Sequence, residues 1–220
     1  MDWEDENLSD NREHRNNVIH YILNNSSSKI PIKHTEIVAR ALNGKPALLN
    51  QVMPAVKEAL ENTYGILLKT VPETKSGKLY ICVSKFTAVS SNEYNETQRS
   101  QLTLLFLVLS YIFMRGIPVS QDFLEEFLKG LHIYFDKTHP YFGSNIKKLI
   151  TDTFVKQLYL KKTKSDKDAI ENELFYTWGY RSEEEFSKKD VLDAVSKLLN
   201  KPAKQFVLQY LQANSDEAVN

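Results

Sequence analysis

SNIKKLITDTFVKQLYLKK, residues 144–162, is the stretch on which the fold turns. Ile146, Leu149, Ile150, Phe154 and Leu158 recur at helical spacing and face a core, which leaves Lys147, Lys148, Asp152 and Lys156 outward. Ser144 stands where an N-cap belongs. A lysine pair opens the segment and Lys161-Lys162 closes it. Such a helix is either offered to a nucleic acid or is the basic face of a protein-binding scaffold.

Its surroundings narrow the choice. Downstream, LYLKKT and ELFYTWG flank KSDKDAIEN, the composition of a β-hairpin. Upstream, a long apolar helix over about 97–115 ends at Gly116, and Ile117-Pro118-Val119 is held extended by the proline ring. Ser120 can then cap a helix with Phe123, Leu124, Phe127 and Leu128 on one face. The same order occupies the first part of the chain. Val18, Ile19, Ile22 and Leu23 make a helical stripe, followed by Ile30-Pro31-Ile32, a helix in KHTEIVARALNG closed by Gly44, and a helix over about 46–62 that Pro54 should kink or break. ILLKTVP and KLYICVS then flank the turn ETKSG.

Helix, short extended piece, helix, helix, hairpin is the order of a winged helix, in which the third helix is presented and the hairpin is the wing. The expected fold class is mainly α with small β-hairpin wings, built as tandem winged-helix (helix-turn-helix) units. Expected boundaries are an acidic flexible tail at 1–14, unit A at 15–84, a linker at 85–96, unit B at 97–180, C-terminal helices packed on unit B at 181–214, and a flexible tail at 215–220. In the C-terminal part, Ser187 and Asp190 form a capping pair, and Pro202 suits the first position of a last helix.

The formal net charge of zero hides an uneven distribution. Residues 1–15 carry six acids against Arg12 and Arg15, a net of −4; residues 143–164 carry six lysines against Asp152, a net of +5. The single cysteine, Cys82, permits no internal disulfide and no cysteine-based zinc site. The acidic N-terminus lacks the apolar core of a secretory signal. The most apolar run, LTLLFLVLSYIFM (102–114), is 13 residues, short of the roughly 20 that span a bilayer, and reads as a buried helix. Glycine-rich phosphate loops, zinc-binding histidine helices and nucleophile elbows are absent, so no enzyme and no cofactor are expected. Glu183-Glu184-Glu185 is explained as a solvated helix start. His132 and His139 in GLHIYFDKTHPYFG have no ligand spacing that favours a metal.

With these elements placed, the sequence resembles the MAGE (melanoma-antigen) homology domain over about residues 15–212. The resemblance is carried by VIHYILNNSSSKIPIKHTEI, LLFLVLSYIFMRG, YFGSNIKKLITDTFVKQLYL and FYTWGYRSEEEFSKKDVLDAV, with Trp178, Gly179 and Arg181 of the WG-x-R element the most specific. It implies tandem winged helices without catalytic activity, partnered with a RING-type ubiquitin ligase. It further implies kinship with the family's ancestral member, a non-SMC subunit of the SMC five–six complex. That subunit joins a RING subunit and a kleisin subunit in DNA repair and chromosome segregation, which places it in the nucleus.

Three candidate sites follow, each beside a plainer alternative. Ile22 and Leu23 fall where the family carries a leucine pair that grips the RING partner, so Val18, Ile19, Ile22 and Leu23 are the candidate RING-binding stripe; the same four residues could simply fill the first core. Phe106, Leu109 and Phe113, on a helix apolar nearly all round, are candidate kleisin contacts or plain core. Lys147, Lys148, Lys156, Lys161 and Lys162 are candidate contacts to double-stranded DNA. Lys148, Asp152 and Lys156 are spaced by four, and two ion pairs of about 0.2–0.5 kcal/mol each would explain them without DNA. Asp152 in mid-helix, with no Arg or Asn on that face, argues against base readout by a sequence-specific transcription regulator and leaves phosphate contact. A ligase regulator outside the chromosome complex is the remaining alternative. Trp178 is expected as a packing anchor of the second wing.

Overall fold

The computed structural model describes residues 2–72, 77–86, 94–165 and 173–215. Both hairpin tips (73–76 and 166–172), most of the expected linker (87–93) and the end of the expected tail (216–220) lie outside them. The chain divides into two compact units, Met1–Ala88 and Val89–Asn220.

In the first unit, α1 (Asp2–Ser26), α2 (His34–Ala41) and α3 (Pro46–Tyr64) enclose a core that β1 (Ile32–Lys33), β2 (Ile66–Val71) and β3 (Leu79–Ser84) close on one side. The strands form an antiparallel sheet in the order β1-β3-β2. The helix expected from residue 15 behind a flexible acidic stretch begins at Asp2 instead. Residues 2–14 contain no Gly or Pro to stop it, and acids near an N-terminus are favoured by the helix dipole. Pro54 does not break α3, which is continuous. Pro54 and Asn50 both lie on the exposed face, where the carbonyl that loses its partner meets water. Gly65 ends the helix with φ 63°, a left-handed position open to glycine at little cost.

The second unit repeats the plan with additions. Its centre is α4 (Glu96–Arg115), which starts at a capping box: Asn95 accepts from the Gln98 backbone at 2.8 Å, and Gln98 accepts from the Asn95 backbone at 3.0 Å. Next come β4 (Val119–Ser120) and α5 (Gln121–Gly130), with Ser120 accepting from the Phe123 N–H as its sequence position implies. The presented helix follows as α6 (Ile146–Lys148), a π-helical turn (Leu149–Thr153) and α7 (Phe154–Lys156). The wing is β5 (Leu160–Lys164) with β6 (Leu174–Trp178), in the sheet order β4-β6-β5. The C-terminal part is α8 (Tyr180–Glu185), α9 (Lys188–Leu199), a 3-10 turn (Ala203–Gln205) and α10 (Val207–Ser215). Pro202 thus precedes the 3-10 turn and does not open the last helix.

The duplication extends to the strand register. In unit 1 the apolar residue after Ile30-Pro31 is Ile32, which pairs with the buried Tyr80; in unit 2 the residue after Ile117-Pro118 is Val119, which pairs with the buried Tyr176. Each proline thereby aims a short strand across the wing, and the paired tyrosine fills the space beneath. The fold is mainly α with two small antiparallel sheets, one per winged-helix unit.

Candidate functional site

α1 presents its apolar stripe to its own unit. Val18, Ile19 and Ile22 are buried in the core with Ile37, Leu49, Val56 and Leu60, and Ile22 is 0% exposed. Of the candidate RING-binding residues only Leu23 is half-buried, with Tyr21 beside it. A truncation such as Ile22→Ala would therefore cost about 2–5 kcal/mol of folding stability before it touched any partner. The stripe serves packing first, and its accessible edge is Leu23.

The kleisin candidates divide in the same way. Leu109 and Phe113 are buried in the second core, and Phe106 is half-buried against it. α4 is apolar nearly all round because its own unit covers it, α9 on one side and β6 on another. What remains open is a groove of about 350 Å³ past the end of α4. Phe113 and Trp178 line it with Ile117 and Pro118, Lys161 adds a positive charge, and Lys188 is paired with Glu183 at 2.9 Å. Ile117 is 60% exposed, an apolar side chain held in solvent by the proline that follows it. Trp178 is itself an anchor: its Nε1 donates to the Leu109 carbonyl at 2.9 Å, and its ring packs on Phe113 and Phe186.

On the presented helix, Ile146, Ile150 and Phe154 are buried and Leu149 and Leu158 half-buried. The expected cap at Ser144 is not found; Asn145 occupies the N-cap position and makes no side-chain cap bond. The Lys156–Asp152 pair forms at 3.0 Å, whereas Lys148 makes no ion pair among the described residues. The π turn accounts for the difference, because its wider turn rotates Asp152 away from the register in which Lys148 would meet it. Lys162 reaches from the wing and donates to the Thr151 carbonyl at 2.9 Å, tying strand to helix. Lys147, Lys148 and Lys161 are exposed without an ion pair among the described residues, and the first two border an open hollow of about 370 Å³ at the helix mouth. Of the five candidate DNA contacts, two are thus engaged within the unit and three face solvent.

Arg181 and Glu185 stand four apart in the sequence, but the residues that close around them come from more than twenty positions away. Arg181 is 1% exposed; its Nη1 meets the Glu185 carboxylate at 2.9 Å, its Nε donates to the Gln157 carbonyl at 2.9 Å, and its guanidinium lies 5.6 Å from the Tyr159 ring centre. Tyr159 donates to the other Glu185 oxygen at 2.6 Å, and burial, reinforced by that carboxylate, raises its hydroxyl pKa. Glu185 is therefore a half-buried partner of Arg181 and Tyr159, not part of a solvated helix start. The cluster braces the end of the presented helix, where Leu158 turns left-handed at φ 62° and its carbonyl accepts from the Arg181 N–H. Gly179 completes the brace: a Cβ there would strike the Leu158 carbonyl and lie 3.0 Å from the Leu160 carbonyl carbon. The W-G-x-R spacing is thus a physical unit, one residue each for anchor, close approach and buried charge.

In the loop after α5, the His139 ring accepts at Nδ1 from the backbone N–H groups of Tyr141 and Phe142 at 3.1 and 3.2 Å, a loop-closing role. Among the described residues no group of three or more His, Cys, Asp or Glu side chains could hold a metal ion, and no helix is long and apolar enough to cross a membrane.

Known proteins share this architecture and sequence. The MAGE homology domain family matches residues 18–189. The chain is similar to Melanoma-associated antigen D2 of Homo sapiens, 34% identical over 90% of this chain and 32% of that protein. It is similar to Non-structural maintenance of chromosomes element 3 homolog of Mus musculus, 32% identical over 91% of this chain and 71% of that protein. The chain spans about a third of the length of the antigen D2 relative, which it matches over 32%. Among solved structures, a chain of the "Nse1-Nse3-Nse4 complex" superposes with a TM-score of 0.82 at 31% identity, covering 97% of this chain and 100% of that one.

Proposed function

The chain belongs to the MAGE homology-domain family, and from that premise we propose that it is a non-catalytic adapter of the SMC five–six chromosome complex. It binds a RING-type ubiquitin ligase subunit and a kleisin segment, stimulates the ligase by orienting it, and acts in the nucleus in DNA repair and chromosome segregation. The observation that carries this is the likeness to a chain of the Nse1-Nse3-Nse4 complex over 97% of the present chain. Residues 15–84 and 97–180 are taken as its two working units, with 181–214 bracing the second. The RING subunit docks on the α1 side of unit 1 at Tyr21 and Leu23, over the buried Val18, Ile19 and Ile22. The kleisin segment lies in the groove lined by Ile117 and Phe113, with Leu109 in the core that carries Phe113 and Phe106 packed against that core. Duplex DNA contacts Lys147, Lys148 and Lys161 through phosphates alone, sequence-independently and with strong salt dependence.

Co-expression with the RING subunit and the kleisin of the same organism, followed by size-exclusion chromatography, tests the assignment. Wild type is expected to co-elute with both. Leu23→Ser should release the RING subunit alone, and Ile117→Asp the kleisin alone, with thermal unfolding confirming that each variant is folded. Failure of the wild type to bind either protein overturns the reading. The 34% identity to Melanoma-associated antigen D2 favours a second reading, a ligase regulator outside the chromosome complex. Binding of the RING subunit without the kleisin would select it.

A further inference from the structure

We propose that the turn end of the α9–α10 hairpin is a docking surface for an acidic amphipathic helix of a partner protein, beside the groove that Gln212 of α10 also lines and apart from the lysine face described above. Residues 194–215 contain Lys197, Lys201 and Lys204 and no Asp or Glu. The same stretch exposes five large aliphatic side chains: Leu198 (74%), Leu199, Val207, Leu208 (73%) and Leu211 (62%). A surface segment of this length that is both apolar and of one charge sign calls for a covering element.

The helix geometry shows that these side chains are not frayed core. α10 buries Gln209 and Ala213, and Gln209 donates to the Met114 carbonyl at 2.9 Å, which fixes the inner face. At about 100° per residue, Val207, Leu208 and Leu211 lie on the opposite side of the helix. They form a ridge at i, i+1 and i+4, the pattern that seats in the groove of a second helix. On α9 the inward stripe is Val191, Leu192 and Val195; Leu199 continues it past the end of the core and so emerges into solvent, next to Leu198.

Two features identify the occupant. The lysines sit around the turn that joins the helices, so the complementary chain carries Asp or Glu beside its leucine-like face. Between α9 and the 3-10 turn lies an open hollow of about 680 Å³, where Lys197 and Lys201 outnumber the single acid, Asp193, and Asn200 adds an amide. Ser196 also lines it, with its Oγ turned inside and buried. A carboxylate arriving between Lys197 and Lys201 meets both ammonium groups. The ridge on α10 fits a helix.

The test uses the full chain, ¹⁵N-labelled, titrated with a synthetic helix-forming peptide of about 18 residues. The peptide carries leucines at i, i+3, i+4 and i+7 and glutamates elsewhere. Its lysine counterpart and phosphatidylserine-containing vesicles are the other two probes. The acidic peptide is expected to shift amide resonances of 196–212 saturably. Binding should weaken by about tenfold or more in the Leu208→Ser/Leu211→Ser variant and in Lys201→Gln/Lys204→Gln, both of which alter exposed side chains and leave the unfolding temperature unchanged. No saturation at millimolar peptide overturns the proposal, as do shifts confined to other segments or equal binding of the lysine peptide. Vesicles that bind through the same leucines and displace the acidic peptide overturn it too, since the surface would then face lipid.

Discussion

Removing the Arg181 guanidinium alone should be among the most damaging single changes in the second unit. In Arg181→Met the aliphatic stem survives, but Glu185, whose side chain is only 16% exposed, loses its countercharge at 2.9 Å, and the Gln157 carbonyl loses a charged donor. Stranding one member of a buried ion pair typically costs about 3–5 kcal/mol. At about 2–4 °C per kcal/mol for a chain of this size, the midpoint of thermal unfolding of the second unit should fall by roughly 6–20 °C. The companion variant Arg181→Met/Glu185→Gln removes the stranded charge while keeping an oxygen to accept from Tyr159, and should recover more than half of that loss. Calorimetry or circular dichroism on the two variants and wild type measures both numbers. Hydrogen exchange adds a local readout, since the braced segment 154–164 should lose protection first in the single variant. A loss below about 1 kcal/mol in Arg181→Met, the value of an exposed pair, or no recovery in the double variant, would refute the view that this buried cluster braces the presented helix.

Gly179→Ala should destabilise the second unit by about 1–3 kcal/mol or more, because the new methyl meets main-chain atoms of Leu158 and Leu160 that cannot rotate away; an unchanged unfolding midpoint would contradict the close approach. Lys147→Gln/Lys148→Gln should reduce the slope of log affinity for duplex DNA against log salt by about 2, whereas Lys156→Gln and Lys162→Gln, already engaged with Asp152 and Thr151, should change it far less. Equal effects from the two pairs would show that the intramolecular contacts do not hold in solution. His34 has its pKa lowered, chiefly by burial and then by Lys78, so the folded state binds this proton less readily than the unfolded chain. Its contribution is therefore neutral above the usual 6.5 and destabilising as pH falls below it, toward the depressed folded value. Urea unfolding of wild type and His34→Gln at pH 7.5 and pH 5 should show the smaller acid loss in the variant, and parallel losses would count against it.

The order of the repeated elements was determined by the sequence alone, because local physics decides it, although the start of α1, the π turn and the 3-10 turn after Pro202 were not. Apolar spacing marked the inner faces of α2, α3 and the presented helix, and on α5 it marked Leu124 and Leu128, while Phe123, expected on the same face, is 51% exposed beneath the Arg115 guanidinium. Proline held Ile30 and Ile117 extended, Gly44 and Gly116 ended helices, and Ser120 and Ser187 capped them. Each signal acts within a few residues, and their double occurrence was enough for two winged helices. The Asn95-x-x-Gln98 capping box was readable in the same way, two residues before the expected start of α4. Only the tertiary structure decided what covers each sticky face. The stripe Val18, Ile19, Ile22 and Leu23 is apolar whether a partner or its own core buries it, and here the core takes the first three. Leu109 and Phe113 were equally ambiguous, and their unit encloses them. Long-range contacts also determine charge. Glu185 looks like any acid in an acidic run until Arg181 and Tyr159, the latter 26 residues away, close around it. Periodicity reports which way a side chain points along its own helix; the chain distance over which folding brings its neighbours together leaves no periodic trace.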